Sequence, residues 1–360
     1  MKILQVYPLS MKVRGGGVSE HVWNVSKLLA RKHDVTLFGL NPRGKYSRFD
    51  VVDGVKVERF RHFYPQSSYF FSFQLPLRLR QVNFDVVHAH GYHAFPMHFA
   101  RLAKCDKFVV TTHFHGEGHS VFRDSLFKLF HFFGKSSLKK ADTIIAVSEF
   151  EKELLCKQFG IVEDKIVVVP NGLNFDEFID LRRHDYAFKS VLYVGRLDEY
   201  KGVHYLVEVL PKLDKDVVLH IVGKGPLRKQ LKDRARQLGV LDRVFFFDNL
   251  SRKDLLQKYI DCDVFVSLSR LEAFSITVAE ALKAGAFCVV ANTSALCEWI
   301  DNERCFGVEY PIRVNELAKI LRNVLGRNNN QKMVFSTKIE EKILDWTEVA
   351  NRLEKLYEMK

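Results

Sequence analysis

Short runs of β-branched and aromatic residues alternate along this chain with stretches whose apolar positions recur at helical spacing. Residues 3–7, 34–38, 84–90, 108–112, 141–148, 166–170, 219–222, 244–248 and 264–268, with a further run from Val191, read as strands. Most of these runs are continuously apolar, as strands covered on both faces require. Val51 to Phe60 reads as a hairpin. Between the strands, Val22, Val25, Leu28 and Leu29 mark one helix, Val203, Leu206, Val207 and Leu210 a second, and Ile276, Val278, Ala279 and Leu282 a third. Residues 255–260 lie on another helix, and Trp346 opens a last one. Strand and helix alternate in both halves, which predicts an α/β fold with two doubly wound parallel sheets. The expected division is a first domain over 1–180, a second over 181–342 and a terminal helix over 343–360, with the charged stretch 180–188 as the hinge.

In open sheets of this kind ligands sit at the carboxyl ends of the strands. The loop after the 264–268 strand carries Glu272, and the helix that follows carries Glu280, with Ser275 placed to cap it and Gly285 to stop it. The N-terminus of that helix offers free N–H groups and partial positive charge, which suits a diphosphate. The two carboxylates would repel a phosphate and suit hydroxyl groups. Arg196 and Lys201 follow the strand from Val191 and aim two cations at a crevice of the same kind, the other half of a diphosphate clamp. Gly223 lies in the tight turn after the 219–222 strand.

Composition narrows the classes. The chain has 360 residues, 47% hydrophobic and 27% charged, and its six cysteines show no Cys-x-x-Cys pairing, so buried thiols in a reducing compartment are expected. It has no apolar run long enough to span a membrane, and its first residues read as a strand. The net charge of +12 is uneven: residues 1–140 hold 22 Lys and Arg against 9 Asp and Glu, and the remainder is near neutral. That asymmetry predicts an anionic partner for the first half, such as a phospholipid surface, a lipid phosphate or an acidic saccharide. Two stretches there mix aromatic or apolar residues with cations. One is 60–84, with Phe60, Phe63, Tyr64, Tyr69, Phe70, Phe71 and Phe73 among arginines; the other is the basic amphipathic segment 120–140. Each suits either packing against a core or a membrane interface.

Several motifs are absent or misplaced. The glycines 15–17 lack the Gly-x-Gly-x-x-Gly of dinucleotide binders, and Gly134-Lys135-Ser136 has Leu129 where a phosphate loop needs glycine. The histidines at 88, 90, 93, 98, 113, 115 and 119 lack a metalloprotease spacing and read equally as strand-end imidazoles lining a polar cleft. Asp261-Cys262-Asp263 precedes its strand, at the end opposite the ligand edge, and reads as a structural loop.

Taken together, Glu272 and Glu280 with seven residues between them, Gly195-Arg196-Leu197 with Lys201-Gly202, Gly16-Gly17 followed by His21-Val22, Pro170-Asn171-Gly172, Val222-Gly223-Lys224-Gly225-Pro226 and the Trp346 helix resemble the retaining glycosyltransferases of the GT-B fold, family 4 (glycosyltransferase group 1). The resemblance runs from the first strand to the last helix. It implies two Rossmann-like domains facing a cleft, a nucleotide-diphosphate sugar as donor, no metal cofactor, and front-face transfer in which the leaving phosphate serves as base. It also implies roles. Arg196 and Lys201 bind the diphosphate; Glu272 and His113 lie by the donor sugar; Glu280 holds the ribose. Gly16 and Gly17 face the donor phosphates, Gly223 lies near the nucleobase, and Phe274, Ser275 and Ile276 form the turn against the donor. The chain departs from the family at Ala273 and Ser275, where glycines are usual, and at Lys224, where the position is often acidic.

The expected function is therefore sugar transfer to a lipid-linked or polysaccharide-precursor acceptor of the cell envelope, by a cytoplasmic enzyme, peripheral at the inner membrane face; a small soluble acceptor is the alternative. Other classes fit less well. An inverting enzyme or an epimerase shares the architecture but not this glutamate and cation spacing. A nucleic-acid-binding module leaves the neutral second half unexplained, so no nucleic-acid partner is expected; a non-enzymatic module binding an anionic ligand is the alternative of a different class. A glycoside hydrolase needs no diphosphate clamp.

Overall fold

The computed structural model describes residues 1–8, 16–41, 46–62, 71–116, 131, 134–327 and 336–359. It divides into two compact units, Met1–Gly172 with Leu344–Lys360, and Leu173–Ile343. The division falls before the charged 180–188 stretch expected as the hinge, and the terminal helix belongs to the first unit.

The first unit is built on an eight-stranded sheet of β1 (Lys2–Val6), β2 (Asp34–Asn41), β3 (Phe49–Val52), β4 (Val55–Arg61), β5 (Asn83–His90), β6 (Lys104–Thr111), β7 (Thr143–Ala146) and β8 (Ile166–Val168), in the order β3-β4-β2-β1-β5-β6-β7-β8. The expected hairpin is the antiparallel pair β3 and β4 at one edge; the other pairings are parallel. One core packs Leu4, Phe38, Phe60, Val87, Tyr92, Phe114 and Phe159 together. On the other, Ile3, Val22, Val25 and Val35 meet Trp346, Val349, Leu353 and Tyr357 of the terminal helix Trp346–Glu358. That helix presents a strip of apolar residues at helical spacing to the sheet, and its first turn is capped by Asp345, whose side chain accepts from the Thr347 N–H at 2.7 Å. The sequence order reverses across β1 and β5, so the ends of those strands form the first unit's switch point.

After the short β9 (Gly172–Leu173), the second unit holds β10 (Lys189–Val194), β11 (Val217–Val222), β12 (Val244–Phe247), β13 (Val264–Ser267), β14 (Phe287–Asn292) and β15 (Cys305–Glu309), in the order β12-β11-β10-β13-β14-β15. Every pairing in it is parallel. The strands β14 and β15 and the helices Glu149–Phe159, Arg228–Gln237 and Val314–Leu325 complete the alternation beyond what the sequence patterning predicted. The order reverses between β10 and β13, which are direct neighbours through Val191 with Val264 and Leu192 with Phe265.

Asp261 is the last residue of the helix Arg252–Asp261 and not part of a loop, and both it and Asp263 are engaged in structural contacts. Asp261 accepts from the His184 backbone N–H at 2.9 Å and from Gln257 at 2.8 Å; Asp263 accepts from the Ser190 N–H at 2.7 Å and pairs with Arg183 at 2.5 Å. The six cysteines are free thiols, with Cys262, Cys288 and Cys305 buried. Phe63, Tyr64, Tyr69 and Phe70, and all of 120–140 before 134 except His131, lie outside the described residues. Of the remaining aromatics in that first stretch, Phe60 is in the core, whereas Phe73 is 61% exposed.

Candidate active site

The expected residues divide between the units. Gly16, Gly17 and His113 lie in the first, and Arg196, Lys201, Gly223, Phe274, Ser275, Ile276, Glu272 and Glu280 in the second.

In the second unit the adjacency of β10 and β13 brings their following loops together. Lys201 ends a 3-10 turn, Glu199–Lys201, ahead of the helix Val203–Val209. Between them Gly202 takes a φ of +67°, and a Cβ there would stand 2.5 Å from the Leu268 carbonyl oxygen. The Arg270 N–H donates to the Tyr200 carbonyl at 2.8 Å, which fastens the β13 loop to the β10 loop. As a result Lys201 Nζ lies 2.5 Å from Glu272 Oε1, with both side chains more than four-fifths buried. Burial works against the lysine charge, but the Glu272 carboxylate and the neighbouring Tyr200 together leave the Lys201 pKa raised. The Glu272 backbone is fixed in turn, its N–H donating to Ser294 Oγ at 3.1 Å.

Arg196 is placed differently from the cation expected to aim into the crevice. Its guanidinium is 69% exposed and pairs with Asp198 at 2.7 Å. It must leave that partner, or share it, to reach a ligand. Gly223 acts through close approach: a Cβ there would stand 1.9 Å from the Gly195 carbonyl oxygen, so only glycine lets the β11 turn lie against the loop that carries Arg196.

The helix Ile276–Lys283 starts at Ser275, but Ser275 does not cap it. Its backbone is left-handed, at a φ of +75°, and its hydroxyl lies 3.3 Å from Thr277 Oγ1. The expectation of a serine cap is corrected here, because an N-cap side chain reaches the N2 or N3 amide from an extended backbone and this one is not extended. The positive φ also gives the reason a glycine suits this position. The first turn thus keeps N–H groups that no side chain caps, next to Lys201 and Glu272. Phe274 anchors the turn: it is buried, its carbonyl accepts from Trp299 Nε1 at 2.7 Å, and its ring meets the indole edge to face.

Glu280 is buried one and a half turns along, with Arg252 Nη1 at 2.5 Å. Burial raises its pKa, and the Arg252 charge opposes the rise. Arg252 also donates from Nε to Glu177 at 2.8 Å. Arg252 is a site residue that the sequence reading missed. It lies on a different helix, and no spacing linked it to Glu280.

In the first unit Gly16 and Gly17 open the helix Gly16–Leu29, so they belong to its first turn and not to a loop ahead of it. Gly16 has a φ of +78° and is open to space on its Cβ side. His113 follows β6, buried, with a φ of +48°. A non-glycine residue there is strained, and Glu151 holds it in place. The Glu151 carboxylate accepts from the Phe114 N–H and Thr112 hydroxyl on either side of His113, and from the Val147 N–H at 2.7 Å. Burial raises the Glu151 pKa to about 7, against the pull of those hydrogen bonds. Sequence reading missed Glu151 as well, because it lies in the first turn of Glu149–Phe159, a helix the patterning did not predict.

Two parallel-sheet units, each with its chemistry at the switch point, and a lysine and glutamate paired beside an uncapped helix start define a nucleotide-binding enzyme of the GT-B type. Comparison with known proteins agrees. The Glycosyltransferase Family 4 model matches residues 15–177 and the Glycosyl transferases group 1 model matches residues 177–341. An uncharacterized glycosyltransferase of Methanocaldococcus jannaschii is 28% identical, over 96% of this chain and 94% of its own length. The fold is that of sucrose-phosphate synthase from Thermosynechococcus elongatus, at a TM-score of 0.81 and 17% identity over 99% of this chain and 98% of that one. Anabaena HepE, solved in complex with UDP and glucose, matches at a TM-score of 0.75 and 17% identity, over 99% of each chain. The chain belongs to the family 4, group 1 glycosyltransferases, which use nucleotide sugars.

Proposed function

We propose that this glycosyltransferase moves a sugar from a nucleotide-diphosphate donor, with retention at the anomeric carbon and without a metal, to a lipid-linked or polysaccharide-precursor acceptor. The observation that carries the donor half is the Lys201 and Glu272 pair at the β10 and β13 loop ends, beside the uncapped start of Ile276–Lys283. As the diphosphate leaves, negative charge grows on its oxygens. Lys201 and the helix N–H groups supply positive charge there, joined by Arg196 once it leaves or shares Asp198, and one preorganised donor is typically worth on the order of 10²–10³ in rate. Lys201 is already raised in pKa, so it meets the phosphate as a cation. Glu272, once Lys201 turns to the diphosphate, is free to accept from a donor-sugar hydroxyl, and Glu280 holds the ribose. His113 takes the sugar contact that the family resemblance implies. The leaving phosphate then accepts the proton of the acceptor hydroxyl.

The test is thermal stabilisation of the full chain by nucleoside diphosphates and their sugars, with chelator present. Ligand at a hundred times its dissociation constant adds about 2.7 kcal/mol. A shift with one nucleotide, larger with one of its sugars, and lost in Lys201→Ala, is expected; no shift with any of them overturns the reading.

The acceptor half rests on the basic first unit. Phe73 is 61% and Leu77 59% exposed, close together at the helix Gln74–Leu79, with the exposed Arg80 just beyond it. An apolar pair beside a cation suits the boundary of an anionic membrane, and we place the enzyme in the cytoplasm, peripheral to that surface. Among the described residues no helix is long and apolar enough to cross a membrane. Sedimentation with anionic vesicles should hold the full chain at low salt and release it as salt screens the charges. Equal binding to neutral vesicles, or none to either, removes the membrane from the proposal.

A further inference from the structure

Three imidazoles converge at the first unit's switch point, from the helix after β1, the end of β5 and the end of β6. One ring nitrogen from each of His21, His90 and His113 lies within 4.8 Å of the other two. His21 and His90 are fully buried and His113 is 8% exposed. Among the described residues, His21 Nε2, His90 Nδ1 and His113 Nε2 have no hydrogen-bond partner.

The remaining nitrogens show which form two of these rings take. His21 Nδ1 lies 2.7 Å from Asn171 Oδ1, an acceptor, so Nδ1 carries the hydrogen and Nε2 a lone pair. His90 Nε2 lies 2.6 Å from Gln5 Oε1, so Nε2 carries the hydrogen and Nδ1 a lone pair. The Gln5 amide nitrogen is turned the other way, to the Tyr357 hydroxyl at 3.5 Å. Two buried lone pairs, on His21 Nε2 and His90 Nδ1, are thus left beside the His113 ring with no partner among the described residues. A proton could satisfy only one, and burial lowers the pKa of all three rings, with the neighbouring imidazoles lowering those of His90 and His113 further. A cation satisfies all of them at once.

We propose that His21 Nε2, His90 Nδ1 and His113 Nε2 form a binding site for a divalent transition metal of the zinc class. Three neutral imidazoles with one open position make a recognised zinc geometry, and nitrogen donors favour zinc or cobalt over magnesium. Asn171 and Gln5 hold two ligand rings by the opposite nitrogen, as outer-shell acceptors do around bound metals. Ligand bonds of about 2.1 Å need nitrogens roughly 3.4 Å apart, so the rings close by little more than an ångström on binding. The metal is not placed at the diphosphate clamp, and it does not serve transfer. It occupies His113, and, resting on the proposed role of that residue at the donor sugar, zinc is an inhibitor that chelation removes.

The experiment titrates the chelator-treated full chain with cobalt(II), followed by its visible ligand-field absorption, and with zinc by calorimetry. One equivalent per chain is expected, with intense low-coordination bands and no competition from magnesium. His21→Asn, His90→Gln and His113→Ala should each weaken binding at least tenfold, while His204→Ala, in the second unit, should not. Nitrogen-15 imidazole spectra of the unaltered protein, which need no substitution, should show three histidines shifting together with zinc. Failure of the unaltered chain to bind one equivalent, or binding undiminished in the three variants, overturns the site. Stoichiometric binding without loss of turnover keeps the site and overturns instead the placement of His113 at the donor sugar.

Discussion

Glu151 is the residue on which the position of His113 depends, and its replacement has a calculable cost. Glu151→Ala strips the partner from the buried Phe114 and Val147 N–H groups and from the Thr112 hydroxyl. An unsatisfied buried donor costs about 1–3 kcal/mol, so two backbone donors alone cost about 2–6 kcal/mol. The left-handed backbone at His113 stores about 1–3 kcal/mol more, which is held only while its neighbours are pinned. Glu151→Gln keeps the shape and removes the charge, though its single amide oxygen replaces two carboxylate oxygens that both accept. The carboxyl pKa rises on folding from 4.5 to about 7, so the folded chain holds this proton more tightly than the unfolded chain. The group's contribution is therefore greatest at and below the unfolded pKa, falls as pH climbs through the window up to about 7, and is flat above it, a loss of about 3 kcal/mol. The glutamine variant lacks that decline, so its stability relative to the parent should improve as pH rises. Denaturant midpoints of the full chain across this window, with amide exchange at Phe114 and Val147, make the assay. Exchange at those two amides should speed up in Glu151→Ala, and turnover should fall because His113 is released. Unchanged exchange and unchanged turnover would refute the argument.

Two other substitutions test the second unit. Ser275→Ala should alter the melting temperature little, because the hydroxyl caps nothing, whereas a working cap would cost about 1 kcal/mol; Ser275→Gly should stabilise by up to about 1 kcal/mol through relief of the positive φ, and a clear loss in either would restore the serine as a cap. Arg252→Ala leaves Glu280 buried without its cation, at about 3 kcal/mol, the low end for a broken buried pair because Arg252 is itself 37% exposed. The cost should be larger at alkaline than at mildly acidic pH, since the Glu280 carboxyl, already raised by burial, rises further when the opposing charge is gone; a pH-independent cost in chemical unfolding would count against that pairing.

Sequence alone determined the class of fold and most of the residues named at the site. Continuous apolar runs separated by helical stripes specify buried parallel strands, and Arg196, Lys201, Glu272 and Glu280 each follow a recognisable strand in the loop or helix where ligands bind. Such features are local: they depend on side-chain type and spacing over a few residues. The tertiary structure decided which of those residues meet. Lys201 touches Glu272 across 71 positions because β10 and β13 are neighbours, a consequence of the order in which strands enter the sheet. It also decided that Arg196 faces Asp198 and that Ser275 is left-handed, since a loop's dihedral angles answer to the loops packed on it. Arg252, Glu151 and the convergence of His21, His90 and His113 had no sequence signal, because each joins groups from different helices, strand ends and loops that only the packed fold brings together.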